Sequence, residues 1–388
     1  MQWNVIRTLS LLVLLYPLGI DLYLVSVPNI KVHLLASDIE MNWVFSIYLI
    51  GVASSLLLAG KTVDRFGTSL TSVFGSALFI ASSISCAIAP TQEIELFIAS
   101  RFLQGCGGGI CYIVALSTVR KCSYDSDERV KAYSILNGIS CTVPILAPSI
   151  GAIIILLGWK FIFYSMAALG VIVSTVSVSM SKTTKPFEDF GNKVQSISSF
   201  LDPNFIKMVV ISSVSLTSVF TYINISPLVL MSKYGLTTKE YAFWMGLFAA
   251  LSVTTSFSLS LLRRWISDRS LLNMGLIILG SAGFQLYQFE DVLGAYSYLI
   301  TFSLIGIINS ILFTITLNRA LEPFKNNAGS ASGIIHTSQL MIAACYMYIS
   351  GLFDVVIHDM IVFLLIFGSL LGLICVYTVE QQQRPTNQ

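Results

Sequence analysis

The sequence predicts an all-α, polytopic membrane protein with twelve transmembrane helices, arranged as two six-helix halves around a central cavity. Three observations predict this fold class. Of the 388 residues, 55% are hydrophobic and only 11% are charged, and the mean hydropathy is +0.80, well above the composition of soluble domains. Long charge-free runs recur along the chain, and one long polar segment divides it near the middle.

Charge-free runs count the spans, because a bilayer core of about 30 Å needs roughly 20 apolar residues per helix. The opening segment, from about residue 6 to residue 30, is longer than a signal-peptide core, and we interpret it as a retained first span. Eleven further runs follow. They lie between Glu40 and Lys61, Arg65 and Glu93, Arg101 and Arg120, Lys131 and Lys160, Lys160 and Lys182, Lys207 and Lys233, Tyr241 and Arg263, Ser270 and Glu290, Asp291 and Arg319, Lys325 and Asp354, and Met360 and Glu380.

The basic residues are distributed unevenly between the two sets of loops. With the N-terminus inside, 17 of the 22 Lys and Arg residues fall in inner segments and four in outer loops. Because cytoplasmic loops retain positive charge, we expect both termini to be cytoplasmic. The net charge of +2 is too small, and too scattered, for a nucleic-acid surface.

The polar segment that contains SKTTKPFEDFGNK separates the two halves. We predict a first half at residues 1–180, a cytoplasmic linker at 181–203 and a second half at 204–388. Asp64 and Arg65 follow the second span, and a second Asp-Arg pair follows the eighth span, 204 residues later. Repeated halves around a central pathway are a common plan of transporters.

The loop after the second span reads GKTVDRFG. Gly60 and Gly67 allow tight turns, and Asp64 and Arg65 can pair across helix ends and hold the cytoplasmic side shut. A degenerate copy at residues 264–269 lacks the glycines.

This loop resembles the signature loop of the major facilitator superfamily. Three further stretches resemble motifs of its drug:proton antiporter branch of twelve-span efflux pumps: DLYLVSVP in the first span, RFLQGCG in the fourth and GISCTVPILAPSIG in the fifth. The resemblance implies an inner-membrane exporter of small amphipathic compounds such as antibiotics, driven by protons. We expect a monomer without enzymatic activity, cofactor or metal, whose partners are substrate, protons and the lipid bilayer.

In the fifth-span motif, Gly138, Pro144, Pro148 and Gly151 are the candidate functional residues. The two prolines remove backbone hydrogen bonds and bend or loosen the helix. The resemblance implies that this region seals the exit path; simple kinking is the alternative. The sequence has Ala147 where the motif usually has glycine.

Asp21 and Arg101 are the candidate proton-coupling pair, because each is the one charged group of its sign well inside a span. At a rise of 1.5 Å per residue, Arg101 lies about 9 Å and Asp21 roughly 10 to 14 Å below the same surface. Ionisable residues inside spans are functional by default. We expect Asp21 to bind and release the proton while Arg101 favours its charged form. A fixed polar contact that only joins helices is the alternative.

The glycines that follow Arg101 suggest close helix packing, because small residues let neighbouring helices approach. A phosphate-binding loop is disfavoured, since no strand precedes them and no Lys-Ser/Thr follows.

Several polar and aromatic residues are candidates to line a substrate cavity, since an apolar cavity with a few polar groups suits amphipathic compounds. Taken separately, each is better explained by packing or by an interface position, as for most aromatic residues in a helix bundle. His336 in the eleventh span is a candidate to titrate, and the three histidines show no metal-ligand spacing. The candidate cavity residues are Tyr16, Tyr23, Tyr48, Gln104, Tyr112, Asn137, Tyr222, Asn224, Asn309 and Gln339.

Two other functions are compatible with the same fold. Export of an endogenous metabolite, such as a siderophore, sugar or amino acid, would use the same machinery. A membrane receptor or scaffold without transport would need a large loop domain, and none is visible. A membrane-embedded enzyme would need clustered catalytic residues at one depth, and the embedded ionisable groups are too sparse for that.

Overall fold

The computed structural model describes residues 3–122, 126–180, 202–324, 328–353 and 355–383. The regular structure of these residues is helical, with thirteen α-helices. They are α1 (Trp3–Asp21), α2 (Val27–Leu34), α3 (Asp38–Phe66), α4 (Thr68–Ile88), α5 (Ile94–Cys122), α6 (Ser126–Ile154), α7 (Lys160–Met180), α8 (Pro203–Ser226), α9 (Thr238–Leu262), α10 (Asp268–Leu293), α11 (Ala295–Leu321), α12 (Ala328–Leu352) and α13 (Ile357–Gln383).

The helices confirm the predicted twelve-span, all-α fold class. Helices α1 and α2 together form the first span, and each of α3 to α13 forms one more. Among the described residues, ten stretches are long and apolar enough to cross a bilayer. Helices α6 and α12, with 29 and 25 residues, supply the other two spans.

The first span is interrupted where the sequence predicts a continuous helix. Helix α1 ends at Asp21, a single 3₁₀ turn covers Leu24–Ser26, and α2 begins at Val27. Pro28 lies in the first turn of α2, a position where its missing N–H and fixed φ favour the start of a new helix. The interruption leaves Asp21 at a helix end inside the membrane.

The seventh span changes character at a corresponding place. Helix α8 ends at Ser226 and continues as a π-helix over Pro227–Lys233, of which the first four residues are buried. Pro227 removes one backbone donor at the junction. π-helical turns are rare in proteins, and those that occur are often found at functional sites. The two interruptions lie roughly 200 residues apart, close to half the chain.

The second span of each half begins with the same cap. The Ser37 backbone N–H donates to Glu40 Oε2 at 2.7 Å, and the Glu40 N–H donates back to Ser37 Oγ at 3.2 Å. Thr237 and Glu240 make the same pair of bonds, at 2.8 and 3.3 Å, where α9 begins. These capping boxes fix the start of each helix, and their spacing of 200 residues supports the internal repeat.

The glycines after Arg101 bring α5 against neighbouring helices at backbone distance. A Cβ on Gly105 would lie 2.1 Å from the carbonyl oxygen of Tyr48 on α3, and a Cβ on Gly107 would lie 2.6 Å from the backbone nitrogen of Phe79 on α4. Gly108 faces the backbone of α1. The expectation of close helix packing is therefore confirmed.

The chain divides into two compact units. Unit 1 comprises Met1–Asn192 and Leu236–Gly246, and unit 2 comprises Lys193–Gly235 and Leu247–Gln388. Most of the predicted linker, residues 181–201, lies outside the described residues.

We predict that Gly105→Ala lowers the thermal unfolding midpoint of the purified protein in detergent. The added methyl group must displace the α3 backbone, and overpacking of this kind costs about 1–3 kcal/mol. Gly246→Ala is the matched control: it also adds a methyl group to a helical glycine, but no described atom lies within 4 Å of the new Cβ. That control should be neutral or stabilise by roughly 0.5–1 kcal/mol. Equal midpoints for the two variants would contradict the packing described for α5.

Candidate functional site

Arg101 is the centre of a buried polar site in unit 1. Its side chain is 0% exposed. Its Nη1 donates to the carbonyl oxygen of Gly19 at 3.0 Å and to Oε1 of Gln104, one turn further along α5. The guanidinium carbon lies 4.3 Å from the ring centroid of Tyr23 and 4.3 Å from that of Tyr48. Backbone, amide and two ring faces therefore stabilise the charge in place of water.

Gln104 and Tyr48 connect this site to further helices. Gln104 Nε2 donates to Ser83 Oγ on α4 at 2.8 Å, and Tyr48 donates its hydroxyl to the carbonyl oxygen of Tyr16 on α1 at 2.8 Å. The Tyr16 ring in turn meets Tyr112 edge-on, with centroids 5.6 Å apart. Unit 1 thus brings together the candidate residues of its first, second and fourth spans.

Asp21 lies beside this site but is not ion-paired with it. The side chain is 3% exposed and ends α1 two residues after Gly19. Within the described residues, no ion pair within 4.0 Å joins Asp21 to Arg101. The guanidinium is held by the backbone of α1, and its Nε and Nη2 groups have no hydrogen-bond partner in the described part of the chain.

The fifth-span motif packs on the interruption next to Asp21. A Cβ on Gly151 would lie 2.7 Å from Val25 Cγ2 and 3.0 Å from the carbonyl oxygen of Leu22. Pro148 is buried and Pro144 half-buried on the same helix, α6. Gly138 and Asn137 lie on α6 as well, but the surroundings of Gly138 and the side chain of Asn137 fall outside what the structure describes.

The candidate cytoplasmic gate surrounds the end of α3. Gly67 caps this helix with φ of +81°, a conformation that favours glycine. Arg65 is exposed, and its guanidinium lies 5.2 Å from the ring centroid of Phe66. Gly60 lies within α3, so the turn expected there is wrong, and the chain turns at Gly67 instead. The side chain of Asp64 lies outside the described ones, so its pairing with Arg65 stays a prediction.

The matching loop of the second half carries an ion-pair cluster that sequence reasoning missed. Asp268 accepts two hydrogen bonds from Arg263, at 2.7 and 2.8 Å, and lies 3.8 Å from Nε of Arg319 at the end of α11. Hydrogen bonding to Asp268 and its negative charge raise the pKa of Arg263. The sequence indicated Asp268 through its Asp-Arg pair, but nothing local identifies Arg319 as a partner.

Unit 2 has aromatic residues where unit 1 has Arg101. The Tyr222 ring lies 3.9 Å from Phe302 and 4.6 Å from Phe248, between centroids. Phe302 is the eighth residue of α11, as Arg101 is of α5. Phe248 is the eleventh residue of α9, as Tyr48 is of α3. The repeated position therefore holds a charge in the first half and an apolar ring in the second.

The remaining candidate residues of unit 2 bond separately to neighbouring helices. Asn309 accepts a hydrogen bond from Ser215 of α8 at 2.8 Å. Asn224 Nδ2 lies 3.7 Å from the sulfur of Met347 on α12. Gln339 is fully buried and bonds through Oε1 to His336 Nδ1 at 3.2 Å.

A second charged cluster, also unforeseen, joins four segments of unit 2 around Glu290 of α10. Its carboxylate lies 2.6 Å from Lys233 Nζ and 2.8 Å from His358 Nδ1, and it accepts from the Tyr298 hydroxyl at 2.8 Å. Lys233 and His358 lie far from Glu290 in the sequence, so no local pattern identifies them as its partners.

Comparison with known proteins agrees with the fold. The sequence profile described as Major Facilitator Superfamily matches residues 9–347. The chain is similar to the protein named Multidrug resistance protein MdtL of Escherichia fergusonii, at 36% identity over 376 residues, covering 95% of this chain and 93% of the relative. MdtL of Escherichia coli O139:H28 is 35% identical with the same coverage.

Solved structures share the fold at low sequence identity. A bacterial homologue of the human lysosomal transporter Spinster, inward-facing and unoccupied, aligns with a TM-score of 0.78 at 13% identity, covering all of both chains. A D-xylose–proton symporter aligns with a TM-score of 0.73 at 12% identity, covering 95% of this chain and 97% of the other.

We predict that Arg101→Lys lowers the thermal unfolding midpoint although the charge is kept. A lysine ammonium cannot donate to Gly19 and Gln104 while stacking between two rings, and a lost hydrogen bond to a charged group costs about 1.5–3 kcal/mol. Arg65→Lys, at an exposed arginine, is the control and should leave the midpoint unchanged. Equal midpoints would show that the geometry around Arg101 contributes nothing to stability.

Proposed function

The chain belongs to the Major Facilitator Superfamily and is a multi-pass membrane transporter, and we propose that it exports small amphipathic compounds such as antibiotics across the inner membrane in exchange for protons. The buried carboxylate of Asp21, at the interrupted first span and two residues after the carbonyl that binds Arg101, is the observation that carries this proposal. The similarity to proteins named for multidrug resistance supports the substrate class.

Asp21 is a suitable carrier of the transported proton, because an ionised carboxylate is energetically costly in its buried position within the membrane. An ionised carboxylate inside a membrane protein needs a partner or water, and Asp21 forms no ion pair within the described residues. When its surroundings open to the more acidic outside, Asp21 takes up a proton and becomes neutral. When they open to the inside, the proton leaves and the charged form is restored.

Arg101 favours the charged form of Asp21 in this cycle. The guanidinium nitrogens Nε and Nη2 have no partners in the described residues, and a nearby cation stabilises a carboxylate. Movement of the α1–α2 interruption toward these groups would link proton release to the binding of substrate. The membrane potential adds about 2.3 kcal/mol per charge per 100 mV to the driving energy.

The candidate cavity residues combine tyrosine rings with amide side chains, and two of them, Tyr23 and Tyr48, surround the fixed charge of Arg101. This combination suits compounds with an apolar body and one polar or charged group. Cytoplasmic termini, a monomeric state and six-helix halves at residues 1–180 and 204–388 belong to the same proposal.

We predict that Asp21→Asn abolishes gradient-dependent efflux while the protein stays in the membrane. The amide keeps the size of the side chain but cannot exchange a proton. The measurement is accumulation of a panel of drugs and metabolites in a pump-deficient host, with and without a protonophore. Asp38→Asn changes an exposed carboxylate and should retain activity. Full activity of Asp21→Asn would remove the assignment, and efflux of metabolites alone would favour the alternative substrate class.

We predict that Pro148→Ala increases proton leak in proteoliposomes without substrate. The restored backbone hydrogen bond straightens α6, which packs on the interruption next to Asp21. Pro203→Ala, at the first turn of α8 where the missing N–H is harmless, is the control. If the leak equals that of the unaltered protein, Pro148 has no role in coupling.

A further inference from the structure

Helix α8 carries a row of buried hydroxyls without acceptors. Ser213, Thr217 and Thr221 follow one another at intervals of four residues and so lie on one face of the helix. Each is 2% exposed or less, and none of the three hydroxyl oxygens has a hydrogen-bond partner in the described part of the chain. Other hydroxyls of α8 differ: Ser212 and Ser218 donate to carbonyls of their own helix at 2.9 and 2.8 Å.

This face of α8 lies against α12. Asn224 continues the row three residues after Thr221, and its amide contacts Met347 of α12. Gln339 lies eight residues before Met347, on the same face of α12. The seventh and eleventh spans run in the same direction, so Gln339 lies level with Thr217, which is seven residues before Asn224. We call Ser213, Thr217, Thr221 and Gln339 the hydroxyl seam.

Gln339 adds a fourth unpaired group to the hydroxyl seam. Its side chain is fully buried, and its Nε2 has no partner in the described residues. Buried polar groups in native proteins form hydrogen bonds with protein or with water, because an unpaired group loses the free energy of its hydration without a compensating hydrogen bond. Bound water needs two to four polar neighbours, which closely spaced hydroxyls and an amide supply.

His336 lies at one end of the hydroxyl seam. Its Nδ1 donates to Gln339 Oε1 at 3.2 Å, and its ring lies 5.9 Å from that of Phe313. With the hydrogen on Nδ1, the lone pair of Nε2 is free to take a proton.

Helices α8 and α11 make the main contacts with α12, and neither has an acidic residue that could pair with a charged His336. A proton on Nε2 is therefore not trapped by a counter-charge. The titratable and charged residues of these two helices are Lys207, Tyr222, Tyr296, Tyr298 and Arg319.

We propose that the hydroxyl seam binds a row of water molecules that gives His336 access to protons, so that unit 2 has a titrating group of its own. The proposal that the hydroxyl seam binds water does not depend on the proposed export function. Only its role, as a second proton site in the transport cycle, rests on that function.

The test uses the full-length protein in lipid nanodiscs with ¹⁵N-labelled histidine. The chain has three histidines, so His336→Gln assigns the signals of His336. We expect those signals to shift with pH, and the ring N–H to exchange with D₂O. In Thr217→Val with Thr221→Val, exchange should be about tenfold slower, because water no longer has bonding partners. Ser212→Ala with Ser218→Ala, which removes hydroxyls bonded to their own helix, is the matched control and should exchange as the unaltered protein does.

Three outcomes would overturn the proposal: signals of His336 that do not change with pH, exchange that is equally fast in both double variants, or exchange that is equally slow in all three proteins. Thermal unfolding gives a second readout. Removing hydroxyls that bond to water lowers the midpoint, whereas removing unpaired hydroxyls from a dry contact raises it. A raised midpoint in the valine variant therefore contradicts bound water.

Failure of the proposed function is measured separately. Efflux that does not depend on a proton gradient would remove the role in transport, while the exchange and pH response of His336 would still report the hydroxyl seam.

Discussion

The charge of Arg101, held away from water, is the constraint on which unit 1 depends. A guanidinium inside a membrane protein is tolerated only where other groups replace its hydration. Here the replacement comes from the Gly19 carbonyl, the Gln104 amide and the faces of Tyr23 and Tyr48. These groups reach the charge because glycines let the backbones of α3, α4 and α1 approach α5. The close packing of these four helices and the stabilisation of the Arg101 charge therefore depend on the same contacts.

The two halves repeat a framework but differ in chemistry. Capping boxes, interrupted helices and Asp-Arg pairs recur roughly 200 residues apart. At the position of Arg101 the second half has Phe302, stacked on Tyr222. The first half therefore combines an embedded charge with the carboxylate of Asp21, whereas the second half has packed aromatic rings and neutral polar groups at the corresponding place.

Composition and charge spacing were sufficient to predict the fold class and the span count, because the bilayer sets the length of every helix. The fourth-span motif RFLQGCG was sufficient to select Arg101 as a candidate site residue. The interruption after Asp21 was not predicted, since the apolar run continues through it and only Pro28 signals a new start. The similar depths of Asp21 and Arg101 in the membrane suggested that their side chains meet. Depth does not determine the direction in which a side chain leaves its helix. Arg101 donates to the carbonyl oxygen of Gly19. The partners of Asp268 and Glu290 come from distant helices, which no local pattern specifies.

The sequential order of the Arg101 site has a consequence for biogenesis. Gly19, Tyr23 and Tyr48 all precede Arg101 in the chain, so a ribosome delivers the acceptors and ring faces to the membrane before the guanidinium. The fourth span, whose insertion alone would be costly, enters beside helices that already present its binding groups. Moving that span ahead of the first two by circular permutation would remove this advantage and expose the nascent charge to lipid.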